Sequence, residues 1–218
     1  MPANAQPLLS HLLSPTLNTP KLTLELFIHS PEQTTCLLNA MNSPSAHARM
    51  GDFGIRTPEQ FAALNCGTRL RSSVFDPVKF PSGVDVDTDL YYLLRLRHDV
   101  THSAGPLMGG VSLAQRGLNF SPDIGWCILE QFQSKGYAAE AARALVEYAS
   151  LNLGISEIMA WPGKNNLPSI RTAQKAGLIF GGTMSVDDGA EEIVVYVLQG
   201  IDFAPIQAEG RISLKGQV

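Results

Sequence analysis

The residues best suited to chemistry cluster at Gln133-Ser134-Lys135-Gly136-Tyr137-Ala138, a short glycine-containing turn between an extended segment and an alanine-rich one. Downstream, Ala138, Ala141, Ala142, Leu145, Tyr148 and Ala149 recur at i, i+3, i+4 spacing and form one apolar helical stripe. Upstream, Asp123 to Leu129 reads as a strand carrying Ile124, Trp126, Ile128 and Leu129. A turn that opens a helix leaves several backbone N–H groups unpaired and pointing one way, with the positive end of the helix dipole behind them. Such a turn binds anions, Lys135 adds a formal charge, and the expected guest is a phosphate or pyrophosphate.

Other reactive side chains are few. Asp123 at the start of that strand and Glu130 at its far end are the only nearby acids outside the helix. Asp123 reads either as a general base or as a solvated carboxylate beside Pro122. Cys127 is a nucleophile or, as a strand cysteine, a small hydrophobe. His98 and His102 are spaced i, i+4 but lack the glutamate of a zinc helix and fall in a strand connection, so no metal is expected. Trp126 and Tyr137 read as packing residues, Arg143 as a surface partner of Glu140 or Glu147, and Met41, Met50 and Met108 as gap fillers.

The elements around these residues follow from local pattern. Leu22, Leu24 and Leu26 alternate with polar residues as a first strand. Ser30-Pro31 opens a helix to Met41, with serine as N-cap and proline at N1. Residues 42–56 read as an irregular loop, and Thr57-Pro58-Glu59-Gln60 as a capped helix start running to about Ser72. Asp76 to Asp89 reads as a surface loop. Tyr91–Arg97 and Leu107–Ala114 are a hairpin, then come the strand, turn and helix above, which Gly154 closes. Ile155–Trp161 is a strand, Asn166 to Ser169 opens a short helix ended by Gly177, and Leu178–Met184 and Glu191–Leu198 are strands joined by an Asp187-Asp188-Gly189 turn. The sum is a mixed α/β (α+β) domain with a largely antiparallel sheet.

With 218 residues, 44% hydrophobic and 17% charged, the chain suits one domain: an arm over 1–20, a domain over 21–200 and a tail over 201–218. A net charge of −4 without a basic block argues against nucleic acid. The absence of an apolar run of about 20 residues argues against a membrane span. Three scattered cysteines suit a reducing, cytoplasmic setting, and the leucines of the arm lack the flanks of a signal peptide. A monomer or homodimer fits equally well.

Once the turn is placed between strand and helix, the residues resemble the GNAT acyltransferase superfamily. Its Q/R-x-x-G-x-G/A loop is matched at Gln133, Gly136 and Ala138. Lys135 to Ala141 is similar to the G-K-G-Y-A-T-E-A loop of the ribosomal-protein-alanine N-acetyltransferase branch, and Ile124-Gly125-Trp126 to its I-G-Y. Asn166-x-x-Ser169-x-Arg171 with Lys175-x-Gly177-Leu178 resembles its N-x-x-S-x-R and K-x-G-F. The resemblance spans residues 20 to 198. It implies a mixed, mostly antiparallel sheet of about six to seven strands with about four flanking helices, and acetyl-CoA wedged where two central parallel strands splay.

It further implies that Gln133, Ser134, Lys135, Gly136, Tyr137, Ala138 and Ala139 form the cofactor-binding loop, with the pyrophosphate on backbone N–H groups of Lys135 to Ala139. Main-chain groups at Ile128 and Leu129 meet the thioester or pantetheine, and Asn166 reaches the pantetheine side. Asp123 occupies a place where the branch often carries an acid. Many family members carry a proton-donating tyrosine two residues before the position of Lys175; here that residue is Ala173. Ser169 then either donates to the thiolate or caps its helix. A histidine of the 98–102 pair would line the acceptor side, which the loops at 42–57, 75–90 and 97–106 border.

The resulting expectation is transfer of an acetyl group from acetyl-CoA to an amine, a small molecule or a peptide N-terminus, by direct attack on the thioester. A lysine-like amine has a pKa of about 10.4, so a base must take its proton. The alternatives are hydrolysis, decarboxylation or O-acylation of an acyl thioester on the same fold, or a non-catalytic acyl-CoA-binding module.

Overall fold

The computed structural model describes residues 5–97, 105–116, 120–186 and 191–201. Among them lie eight strands: β1 (Thr16–Asn18), β2 (Leu22–Leu26), β3 (Leu90–Leu96), β4 (Leu107–Ala114), β5 (Asp123–Ile128), β6 (Met159–Ala160), β7 (Ile179–Val186) and β8 (Glu191–Val197). They form one sheet in the order β1-β2-β3-β4-β5-β6-β8-β7, antiparallel throughout except at β5–β6. Six helices accompany it: α1 (Leu9–Leu12), α2 (Pro31–Met41), α3 (Pro44–Met50), α4 (Pro58–Gly67), α5 (Tyr137–Leu153) and α6 (Leu167–Lys175).

The counts exceed the expected six to seven strands and four helices for identifiable reasons. Residues 8–18 add α1 and the edge strand β1, and Leu9 and Leu13 enter the main core beside Leu22 and Leu145. The stretch read as a loop over 42–56 contains α3, opened by a Ser43 side chain that accepts from the Ala46 N–H and by Pro44 at N1. Conversely, α4 stops at Gly67 rather than Ser72, and only Met159 and Ala160 of the apolar run 155–161 pair as strand. The caps at Ser30 and Thr57 are as read, the latter a full capping box with Gln60. The Asp187-Asp188-Gly189 turn and the His98–His102 pair lie outside the described residues.

Register divides the sheet into two faces, because directly paired antiparallel residues point the same way. Tyr92 with Val111, and Leu90 with Leu113 and Ile124, face the apolar stripe of α5, where Ala141, Ala142, Leu145 and Ala149 are fully buried. The rows Leu93–Gly110–Cys127 and Tyr91–Ser112–Gly125 face the other way. There α2 and α4 cover them through Leu37, Ala40 and Phe61. A Cβ on Gly110 would lie 2.4 Å from the Tyr91 ring and 2.8 Å from Leu37, so glycine is what lets α2 sit against β4. Further along, the small residues Ser112, Gly125 and Ala114 leave that face hollow.

β5 and β6 touch at a single parallel pair, Asp123 with Met159, fixed by the Met159 N–H on the Pro122 carbonyl at 2.9 Å. β6 then pairs with β8, and the rest of β5 has no strand on that side. The two central parallel strands therefore splay, and the gap between them opens toward the first turn of α5.

Candidate functional site

Two hollows meet at this splay. The smaller, about 300 Å³, runs along the turn before α5. Ser134 (φ 63°) and Gly136 (φ 85°) both adopt left-handed backbone, which folds the chain tightly into the helix. The first helical bond is Glu140 N–H to the Gly136 carbonyl, so the N–H groups of Tyr137, Ala138 and Ala139 have no carbonyl four residues back. A Cβ at Gly136 would meet nothing within 4 Å, so the space before these donors is open. Arg49, Arg171 and Lys175 line the groove and no carboxylate does. Lys135 points elsewhere, its ammonium 5.6 Å from the centre of the Phe132 ring. The groove is cationic and rich in main-chain donors, as a polyphosphate requires.

Several groups expected to meet a donor are used inside the protein. The Leu129 N–H donates to the Met108 carbonyl at 2.9 Å, and the Ile128 carbonyl accepts from Gln133 Nε2 at 2.9 Å. Asn166 caps α6, its Oδ1 accepting from the Ser169 N–H at 3.3 Å while Nδ2 donates to the Arg49 carbonyl at 3.4 Å. Ser169 is thus not the cap. It borders both hollows, and its hydroxyl has no hydrogen-bond partner among the described residues.

The larger hollow, about 640 Å³, occupies the hollow face of β3–β5 under α3 and α4. Asp123 lies in its wall, 4% exposed, with Oδ1 taking the Arg116 Nε at 3.1 Å. It is therefore not the solvated carboxylate of the simpler reading. Burial pushes its carboxyl above the ordinary range, and the Arg116 guanidinium pulls against that rise. Arg116 in turn lies over the Trp161 ring at 5.3 Å. Continuing the β3–β4 register by one step places Asp89 level with Ala114 and Asp123. The two carboxylates stand two strand spacings apart, about 10 Å. Asp89, read as part of a surface loop, is buried and paired with Arg69 Nε at 2.9 Å.

Other readings change as well. Glu130 is on the surface, where its Oε1 accepts from the Ser45 N–H at 2.9 Å, so it does not face the cavity. Cys127 borders both hollows 3.6 Å from the Tyr91 hydroxyl, and burial raises its pKa; nearby Cys36 is pushed up to about 11. A protonated buried thiol is a poor nucleophile. Arg143 donates to the Lys175 carbonyl at 3.3 Å rather than pairing on its own helix, and Glu140 holds Thr19 and the Lys21 N–H. Ala173 is fully buried. Met41 and Met50 line the larger hollow, whereas Met108 is core.

Arg49, Asn65, Asp89, Ser112 and Trp161 escaped the sequence reading. Only Arg49 had a usable signal, since Ser43-Pro44 repeats the start signature of α2 and α4. All four buried side-chain polar atoms without a hydrogen-bond partner among the described residues (on His47, Asn65, Asp89 and Trp161) belong to residues lining the larger hollow, although Asp89 Oδ2 lies 3.5 Å from His29 Nε2 and His47 Nε2 lies 3.8 Å from Asp52 Oδ1.

Comparison with known proteins agrees with this geometry. A family profile described as an acetyltransferase (GNAT) domain matches residues 82–179. An uncharacterized N-acetyltransferase YnaD of Bacillus subtilis (strain 168) is 39% identical over 56 residues, 26% of this chain. The match spans a third of that relative's length (33%). An acetyltransferase from Agrobacterium tumefaciens superposes with a TM-score of 0.61 at 22% identity, over 86% of this chain and 95% of its own. AAC(6')-Ib, solved in complex with acetyl-CoA, gives 0.55 at 18%, over 84% and 96%. A structure described as a putative ribosomal-protein-serine acetyltransferase from Vibrio cholerae gives 0.54 at 19%, over 85% and 99%. At these identities the superpositions establish a shared fold.

Proposed function

We propose that this chain, whose residues 82–179 match the profile of a GNAT acetyltransferase domain, moves an acetyl group from acetyl-CoA to an amine by direct attack on the thioester. The observation that carries this reading is the meeting of a cationic, main-chain-lined groove with a cavity that holds a buried carboxylate, across a shared wall of Ser169, Trp126 and Cys127. The groove suits the polyanionic donor and the cavity the acceptor.

Roles follow from position. The N–H groups of Tyr137, Ala138 and Ala139, with the dipole of α5, hold the diphosphate, and Arg49, Arg171 and Lys175 balance its charge. Gly136 keeps the approach clear. Asp123 receives the proton of the attacking ammonium, directly or through water; a carboxylate with a raised pKa is a better base at neutral pH than an exposed one. Ser169, its hydroxyl free, donates to the departing thiolate in the place of the missing tyrosine. Cys127 stays a protonated wall residue, which favours direct transfer over an acyl-enzyme.

Within the family the motif blocks favour the ribosomal-protein-alanine branch, while the acceptor is left open between a small amine and a peptide N-terminus. Among the described residues no helix is long and apolar enough to cross a membrane.

Isothermal titration of acetyl-CoA into the protein and into Gly136→Glu tests the donor site. The new side chain places bulk and negative charge before the helix N-terminus. The expected result is binding by the parent and a loss of at least about 100-fold in the variant, with an unchanged far-ultraviolet circular dichroism spectrum. No binding by the parent sinks the proposal.

A further inference from the structure

We infer that Gln133 is a positioning residue: it does not bind the donor's phosphates but holds α3 between donor groove and acceptor cavity, so that the loop receiving the donor also sets the acceptor's wall. The inference rests on the proposed assignment of the two hollows.

The argument begins with a count of hydrogen-bonding capacity. A glutamine side chain has two N–H donors and a carbonyl oxygen that only accepts. Gln133 Nε2 donates to the Ile128 carbonyl at 2.9 Å and to Ser45 Oγ at 3.0 Å. Its Oε1 accepts from Arg49 Nη1 at 3.0 Å. Both donors are spent within the protein, and an acceptor oxygen has nothing to offer a phosphate. What the side chain does is tie both ends of α3, at Ser45 and at Arg49, to the end of β5.

α3 needs such a tie. Of its seven residues only Ala46 is buried, so little apolar area holds it down. A helix of this length is unstable by itself. Its remaining anchors also come from the donor side: Glu130 Oε1 on the Ser45 N–H and Asn166 Nδ2 on the Arg49 carbonyl. Yet α3 faces both hollows. Ser45 and Ala46 border the donor groove, His47 and Ala48 the acceptor cavity, and Arg49 and Met50 border both. A seven-residue partition held by polar contacts moves when those contacts move.

Amide hydrogen exchange of the full chain, with and without acetyl-CoA, decides the matter. In the parent, saturating acetyl-CoA is expected to slow exchange across residues 44–50. In Gln133→Ala, exchange there without donor should be at least about tenfold faster, as three lost hydrogen bonds imply, with α5 unchanged. The affinity for acetyl-CoA should stay within about threefold of the parent, since no phosphate ligand is removed, while the KM of an accepted amine rises. Arg49→Ala removes one of the three bonds from an exposed position and should give a smaller increase in exchange, partly restored in Arg49→Lys.

Two results overturn the inference. One is parent-like exchange of α3 in Gln133→Ala. The other is loss of acetyl-CoA affinity by more than about 30-fold with α3 still protected, which makes Gln133 a phosphate ligand. Failure of the parent to bind acetyl-CoA overturns the proposed reaction instead, and the exchange difference in the free proteins still tests the tie.

Discussion

The donor groove and the acceptor cavity are neighbours built on opposite plans. The groove is centred on one continuous stretch, residues 133–139, whose main-chain N–H groups open a helix, with side chains of α3 and α6 flanking it. The cavity draws on α3, α4, the starts of β3 and β5, and the end of β6, and presents side chains. Main-chain recognition tolerates sequence change provided the turn survives, whereas side-chain recognition is remade by single substitutions. The same contrast explains why one hollow carries a motif and the other does not.

The largest effect that would sharpen this contrast is expected from Ser112→Phe. Ser112 sits in the floor of the cavity between Tyr91 and Gly125, away from the groove. Filling that floor should reduce amine-dependent turnover by about 100-fold or more, because misplacing a reactant by 1 Å is already costly. Titration should show acetyl-CoA affinity unchanged; a parallel loss of donor binding would mean that the two hollows are not separable.

Asp123→Asn should lower kcat by about 100-fold, the lower end of what a positioned general base contributes. The sign of its pH dependence is fixed. Burial raises the Asp123 carboxyl above its ordinary range, and only the ionised form accepts a proton, so the rate should climb as pH rises through that raised value and fall below it. The variant should lose that limb of the profile. Retention of the limb would move the base to another group.

Ser169→Ala should cost about tenfold in kcat at unchanged donor affinity. Its fold should be unaffected, because Asn166 rather than Ser169 caps α6. Asn166→Ala is the reverse case: loss of the cap should destabilise the protein by about 1 kcal/mol in urea unfolding. If Ser169→Ala proved the more destabilising of the two, the assignment of cap and hydroxyl would have to be exchanged.

What was legible in the residues follows the same division. α2 and α4 announce themselves through Ser30-Pro31 and Thr57-Pro58 with Gln60, and the β5–turn–α5 unit through period and glycine. α3 carries the same Ser-Pro signature but has one buried residue and therefore no periodic stripe, so it passed for loop. The run from Ile155 to Trp161 is apolar enough for a strand, and Ile155 and Ile158 are fully buried, yet only two residues pair: parallel register with Asp123 puts the residues before Met159 ahead of the start of β5, and beyond that pair the two strands splay. Asp89 and Asp123 lie far apart in the chain and become neighbours only through the register of β4, which no local spacing encodes. The use of Gln133 is hidden for a related reason: a motif position records which residue is needed, not which atoms it engages.

The chain has two tryptophans, and both border these hollows, Trp161 the larger and Trp126 the two together. Under excitation selective for indole, all of the protein's intrinsic emission arises at the site. Trp161 lies beneath the Arg116 guanidinium and Trp126 lies in the shared wall, so their fluorescence should respond differently to an occupant of either chamber. Substituting Trp126 by phenylalanine leaves Trp161 as a reporter of the larger chamber alone, while the converse variant reports both, so the order in which donor and acceptor enter can be followed without a label.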